Sequence, residues 1–381
     1  MRSPFFVALL LVSSPDCLWG QESAPAPPAA NVAQEAKDAR IVRALLRLPG
    51  VDLSENPAAK AALLRHLQGE RGTAEYLEIV EKFQLREAKD ELLRLALEQS
   101  EGTLGVKAAG LLVKFGESEL LAKAIDAPDP AAGAKLVTAL GLLADAKTNE
   151  LLTPLVADEQ KPLAVRAAAV GAIGRNAPGQ KWLLATVEVG KLPADLKFAA
   201  ANVLLGSADE AIRTAAGKHL SLPAAAGGEP IPPVADLVLR TGDAARGKVL
   251  FATTGTCAKC HKVRGEGKDV GPDLSEIGSK LSKEAMFLSI LDPSAGVSFN
   301  YETHLIRMLD GTILSGILVS QTDDALELKT AEAIVHKLAM SDIDQMKKQP
   351  ISIMPADLQK QLRPQDLVDI VQYMTTLRKA D

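Results

Sequence analysis

The chain has 381 residues, a formal net charge of −5 and only 3 cysteines, with 47% hydrophobic and 3% aromatic residues. That length suffices for two domains. The mild acidity lacks the basic patch or stripe that nucleic-acid binding needs, so no nucleic-acid partner is expected.

The first residues carry an export pattern. Met1-Arg2 is a short basic start, Phe5 to Val12 an apolar run, and Ser13 to Gly20 a polar, small-residue exit. This pattern predicts a secretory signal peptide over residues 1–20, too short to span a bilayer, and therefore a periplasmic or secreted protein. Ser14-Pro15-Asp16 ahead of Cys17 is a poor lipobox, so no lipid anchor is expected. No later apolar run reaches membrane-spanning length, so no transmembrane anchor is expected either. The two cysteines beyond Cys17 fall in one motif, which leaves no thiol for a structural disulfide. Residues 21–31 form a Pro/Ala linker with too little apolar surface to order itself.

Residues 32–220 read as helix after helix. Leu and Ala recur at i, i+3, i+4 and i+7 with short Gly, Pro or Asp breaks. Val106-Lys107-Ala108-Ala109, Ala134-Lys135-Leu136-Val137, Val165-Arg166-Ala167-Ala168 and Leu196-Lys197-Phe198-Ala199 open similar helices, at spacings of 28, 31 and 31 residues. The period and the Ala-rich inner faces resemble a HEAT-like α-solenoid, although the period is shorter than the standard unit. An irregular helical bundle is the alternative. No catalytic constellation occurs in this half, and His66 and His219 stand alone. A solenoid most often presents a docking surface, an inference from fold analogy alone. Residues 221–234 follow as a Pro/Gly linker.

The second domain, residues 235–381, contains Cys257-Ala258-Lys259-Cys260-His261. The C-x-x-C-H spacing is that of c-type haem attachment. Each thiol can bond one haem vinyl group, and the next residue then offers an imidazole to the iron. A thioredoxin-type C-x-x-C would need a βαβ setting, and a structural zinc site usually takes four Cys/His ligands; the sequence offers neither. One covalent haem c is expected, held by Cys257 and Cys260 with His261 as an iron ligand.

Asp243 to Phe251 predicts a helix capped by Asp243, with Gly247 allowing close packing and Phe251 near the haem. A further helix, about Ser282 to Leu291, ends at Asp292-Pro293. A β insertion over about 302–340 follows: Glu302 to Leu309 alternates, Asp310-Gly311 signals a hairpin, Thr312 to Ser320 continues, and Ala325 to Thr330 and Ala333 to Leu338 give two more strands. The last helix, Pro364 to Leu377, opens with proline in its first turn.

From the first helix, C-x-x-C-H, Gly271-Pro272-Asp273-Leu274, Met354-Pro355 and the C-terminal helix with Tyr373, residues from about Gly242 onward resemble a class I cytochrome c. More narrowly, they resemble the haem-binding domain found at the C-terminus of large secreted bacterial proteins, often after helical repeats or dehydrogenase-like propellers. The resemblance implies that the Pro272 carbonyl accepts the His261 Nδ1–H bond, which fixes the tautomer and leaves Nε2 for iron. It also implies a Met ligand in the loop before the last helix, where Met354 lies and Pro355 would stiffen the chain. Met286, Met308, Met340, Met346 and Met374 read as packing or surface residues. His304 and His336, in expected strands, are the other candidates for the distal position.

The expected fold is therefore mainly α: an N-terminal HEAT-like α-solenoid, then a cytochrome c-like helical domain carrying a small antiparallel β insertion. The expected function is that of an exported monohaem electron carrier whose partner is a dehydrogenase or another cytochrome, without bond chemistry of its own. A haem-containing subunit of an oxidoreductase complex, or a haem-based ligand sensor or scaffold, is the alternative.

Overall fold

The computed structural model describes residues 29–379. The expected signal peptide and most of the Pro/Ala linker lie outside them. The chain divides into two compact units, one through Glu70 and one from Arg71.

The first unit is a helical hairpin, α1 (Ala29–Arg47) and α2 (Pro57–Gly69). Asn56 caps α2 by accepting the Ala59 N–H, and Pro57 needs no partner in the first turn. Val42, Leu45, Leu63 and Leu67 are buried between the two helices. Beside them Arg65 donates from Nε and Nη2 to the buried Asp38 carboxylate at 2.8 and 2.9 Å.

The second unit opens with ten helices: α3 (Ala74–Phe83), α4 (Lys89–Glu98), α5 (Thr103–Lys114), α6 (Ser118–Ile125), α7 (Pro130–Leu142), α8 (Asn149–Ala157), α9 (Leu163–Ile173), α10 (Ala177–Glu188), α11 (Lys197–Leu205) and α12 (Glu210–Ala216). The four repeated openings fall on α5, α7, α9 and α11. Each of these packs on the next in the series. Small residues make that approach possible: a Cβ on Gly141 of α7 would come within 2.4 Å of Ala172 Cβ on α9. Leu112, Leu136, Leu140, Val170 and Leu204 fill the space between them. Polar ties cross between neighbouring helix pairs at matching places. Asn149 and Asn176 exchange side-chain hydrogen bonds of 2.9 and 3.1 Å, and the buried Arg166 reaches Asp195 at 2.7 Å.

The stretch from Leu222 to Pro233 folds into the domain that follows. Ala224 and Pro230 form an antiparallel bridge, and the Ala226 N–H donates to the Leu362 carbonyl at 2.9 Å. Ala225 and Ile231 join the core of that domain with Val234 and Leu237 of α13 (Val234–Leu239). Phe198 of α11 packs against the same core, and Arg175 reaches Glu284 at 3.2 Å.

The C-terminal domain adds α14 (Ala244–Ala252), a short α15 (Ile277–Lys280), α16 (Lys283–Leu291) and α17 (Pro364–Thr376). Its antiparallel sheet has five strands in the order β4-β3-β2-β1-β5. They are β1 (Thr303–Met308), β2 (Ile313–Gln321), β3 (Ala325–Lys329), β4 (Val335–Ala339) and β5 (Ile343–Lys348). The first four match the alternation in the sequence. The fifth extends the sheet past the expected end near residue 340, because β5 is an edge strand exposed along nearly its whole length. It therefore carries no apolar alternation to read. Ile306, Leu326 and Leu328 form the sheet's own small core.

The structure is thus mainly helical with a small antiparallel sheet near its C-terminus. Among the described residues, no helix is long and apolar enough to cross a membrane.

Candidate functional site

Two helices at opposite ends of the domain sequence frame the site. Gly247 of α14 crosses α17 so closely that a Cβ there would sit 1.9 Å from the Asp369 carbonyl oxygen. One turn on, Phe251 meets Tyr373 edge to face, with ring centroids 5.7 Å apart and an interplanar angle of 69°. Arg246 pairs with both Asp366 and Asp369, and the buried Asp369 also accepts the Asp243 N–H at 2.9 Å. This polar clamp was not legible in the sequence, since its members lie more than a hundred residues apart.

After α14 the chain turns through Thr256, whose φ of 55° is left-handed, into a single 3₁₀ turn over Cys257–Lys259. The Cys260 and His261 N–H groups both donate to the Cys257 carbonyl, at 3.0 and 2.9 Å. That turn brings both thiols and the imidazole to one side. The following loop folds back over it: Val270 and Gly271 donate to the Cys260 carbonyl at 2.9 and 2.8 Å, and Leu274 to that of Lys262 at 2.9 Å. The loop lays Gly271 on the imidazole, where a Cβ would come within 2.5 Å of His261 Cε1. His261 Nδ1–H then donates to the Pro272 carbonyl at 2.8 Å, the contact expected of these two residues. Burial holds the imidazole pKa below its ordinary value, only partly opposed by that hydrogen bond. A neutral ring that donates from Nδ1 keeps a lone pair on Nε2.

Cys257 and Cys260 form no disulfide. Burial pushes the Cys257 thiol up to about 12 and raises that of Cys260. Among the described residues no group of three or more His, Cys, Asp or Glu side chains is arranged to hold a metal ion directly, whereas a structural zinc site usually takes four such ligands.

Cys257, Cys260, His261, Pro272 and Met354 all line one cavity of about 360 Å³. That lies in the range of cofactor pockets, roughly 300–1,000 Å³. Phe251, Val270, Met286 and Ile290 give it an apolar wall. Met354 is half-buried and packs against the domain core from the loop between β5 and α17. His304 and His336 are not among the lining residues; His304 Nδ1 instead lies 3.1 Å from the Glu302 carbonyl oxygen. Tyr301, Ile317 and Ala331 also line the cavity, although nothing in the sequence marked them. Ile317 reads as one more alternating strand residue, and only the folding of the sheet against the motif brings it there.

The donor set fits a covalently attached haem: two thiols on one turn, one imidazole with its Nε2 free, and a largely apolar cavity beside them. Fold and site together define a haem-binding electron-transfer domain. Residues 244–308 match the family model described as Cytochrome c, and the C-terminal domain is accordingly cytochrome c-like, with haem c as the group that family binds covalently. No curated protein matches the chain.

Proposed function

We propose that this protein is an exported monohaem cytochrome that passes single electrons between partner proteins, with its helical array as a HEAT-like docking solenoid. The observation that carries the reading is the convergence of Cys257, Cys260, His261 and Met354 on one cavity, with His261 Nδ1 committed to Pro272. In this reading the bound haem supplies a one-electron Fe(III)/Fe(II) couple. Cys257 and Cys260 would hold it by thioether bonds, and His261 would offer Nε2 to its iron. Met354 would offer a soft thioether as the second iron ligand, one that raises the potential relative to a second imidazole. Apolar side chains exclude water from the cavity. A single C-x-x-C-H supports one haem per chain. The stepwise packing of α5, α7, α9 and α11 supports the solenoid reading, and the export pattern of residues 1–20 supports a periplasmic or secreted location. The expected partner is a dehydrogenase or another cytochrome, and no substrate chemistry is assigned to this chain.

The test is the Met354→Ala holoprotein beside wild type. Wild type should carry one haem that survives denaturation, show the weak far-red absorption of thioether-ligated ferric haem, and bind CO poorly. Met354→Ala should lose that absorption, fall in potential and bind CO readily. A wild type that itself binds CO readily would favour a sensor or an oxidoreductase subunit over a carrier.

A further inference from the structure

The segment that carries Met354 is held by polar ties more than by burial. None of residues 349–358 is fully buried, and Ile351 is 63% exposed. Two serines make the ties. The Ser352 N–H donates to Ser294 Oγ at 3.1 Å, and the Met354 N–H donates to Ser352 Oγ at 3.1 Å. Ser294 follows Pro293, which lines the cavity as Ser352 does. The sheet brings these two segments together. β1 pairs with β5, so His304 lies opposite Lys348. Just outside that pairing the Gln349 N–H donates to the Thr303 carbonyl at 2.8 Å, and Lys348 Nζ to Glu302 at 2.8 Å. The chain thus leaves for the sheet and returns from it at one place, and the serines tie the two segments once more where they reach the cavity.

We propose that Ser294 and Ser352 are positioning residues for Met354, holding its thioether over the cavity so that the sixth coordination position stays closed. This rests on Met354 being the distal ligand. Beyond the packing of Met354 on the domain core, hydrogen bonds add to the cost of opening this loop. Loss of one such bond, worth about 1 kcal/mol, raises the open population about fivefold. Neither serine hydrogen-bonds to the proximal turn, so the loss of either bond acts on the distal side.

The experiment uses full-length holoprotein with Ser352→Ala, Ser294→Ala, Ser352→Thr and Met354→Ala. Reduced Ser352→Ala and Ser294→Ala should each bind CO about fivefold faster than wild type, and their oxidised forms should show weaker far-red absorption. Ser352→Thr keeps the acceptor oxygen and should match wild type in both. If Met354→Ala opens the site but the two alanine variants bind CO at the wild-type rate, the positioning role is wrong and the ligand reading stands. The positioning role is equally wrong if they lower the thermal midpoint without moving CO binding, since the serines are then structural only. If Met354→Ala itself matches wild type, the ligand reading fails and the positioning role with it.

Discussion

At the scale of single residues, Gly271 shows how tightly the proximal side is built. Its Cα lies flat against the His261 ring, and any Cβ would collide with Cε1 at 2.5 Å. Gly271→Ala must therefore push the imidazole off the Pro272 carbonyl or open the loop. Overpacking of this kind costs about 1–3 kcal/mol, and the lost second contact also changes how strongly Nε2 donates. We expect a lower thermal midpoint together with a shifted reduction potential in the holoprotein; an unchanged potential would show that the ring does not depend on this contact. The residues of the motif were legible because their chemistry is set by local spacing. Cys257, Cys260 and His261 lie within one turn, whereas Pro272 was legible only through the resemblance to a class I cytochrome c. Ile317 and Ala331 were not, because their place at the cavity depends on strand register and on how the sheet docks.

At the scale of elements, two contacts make distinct predictions. The α14–α17 crossing depends on Gly247, where the Asp369 carbonyl leaves no room for a methyl group. Gly247→Ala should destabilise the domain by about 1–3 kcal/mol, read by denaturant unfolding monitored through haem absorbance. The second contact lies between α1 and α2. The Arg65 guanidinium holds the Asp38 carboxyl below its ordinary value, with Gln34 assisting and burial opposing. A carboxylate whose folded pKa is depressed stabilises the fold above its unfolded pKa and loses that contribution as pH falls through the folded value. The hairpin should keep its amide protection, corrected for intrinsic exchange, down to about pH 4 and lose it progressively below. In Asp38→Asn this acid step should be absent. The helices themselves were legible where Leu and Ala recur at helical spacing between Gly, Pro or Asp breaks, as around Ala134-Lys135-Leu136-Val137 in α7, which the structure starts earlier, capped by Asp129. β5 was not, because an exposed edge strand such as Ile343–Lys348 needs no apolar face.

At the scale of the molecule, the Pro/Gly stretch from Leu222 to Pro233 shows what composition does and does not record. Its prolines and glycines do mark turns, with Gly227 and Gly228 both at positive φ. Composition gives no sign that Ala225 and Ile231 are 4% and 2% exposed within the C-terminal core. A fragment of residues 222–381 should therefore retain haem and a cooperative unfolding transition. One of residues 242–381 loses Ala225, Ile231, Val234 and Leu237 and should be markedly less stable; equal midpoints for the two would mean that these side chains contribute nothing. The 222–381 fragment should still fall below the full chain, since it also lacks Phe198 packed against that core and the Arg175–Glu284 pair.

The placement of the sheet between the two halves of the site bears on the order of assembly. The backbone hydrogen bonds that shape the proximal side, from the Cys257 turn to the Gly271–Pro272 loop, join residues close in the chain, and such loops close at little entropic cost. The distal side waits for Met354, which follows the whole sheet, and the domain closes only when α17 at the far end of the chain reaches α14. Non-local contacts of that kind form late in folding. A chain that has not yet closed its distal side would therefore display its two thiols on a finished turn while the opposite wall is open. On the proposed function, haem would reach Cys257 and Cys260 in that interval, and the later closure of α17 and the Met354 loop would convert an accessible attachment site into a shielded one.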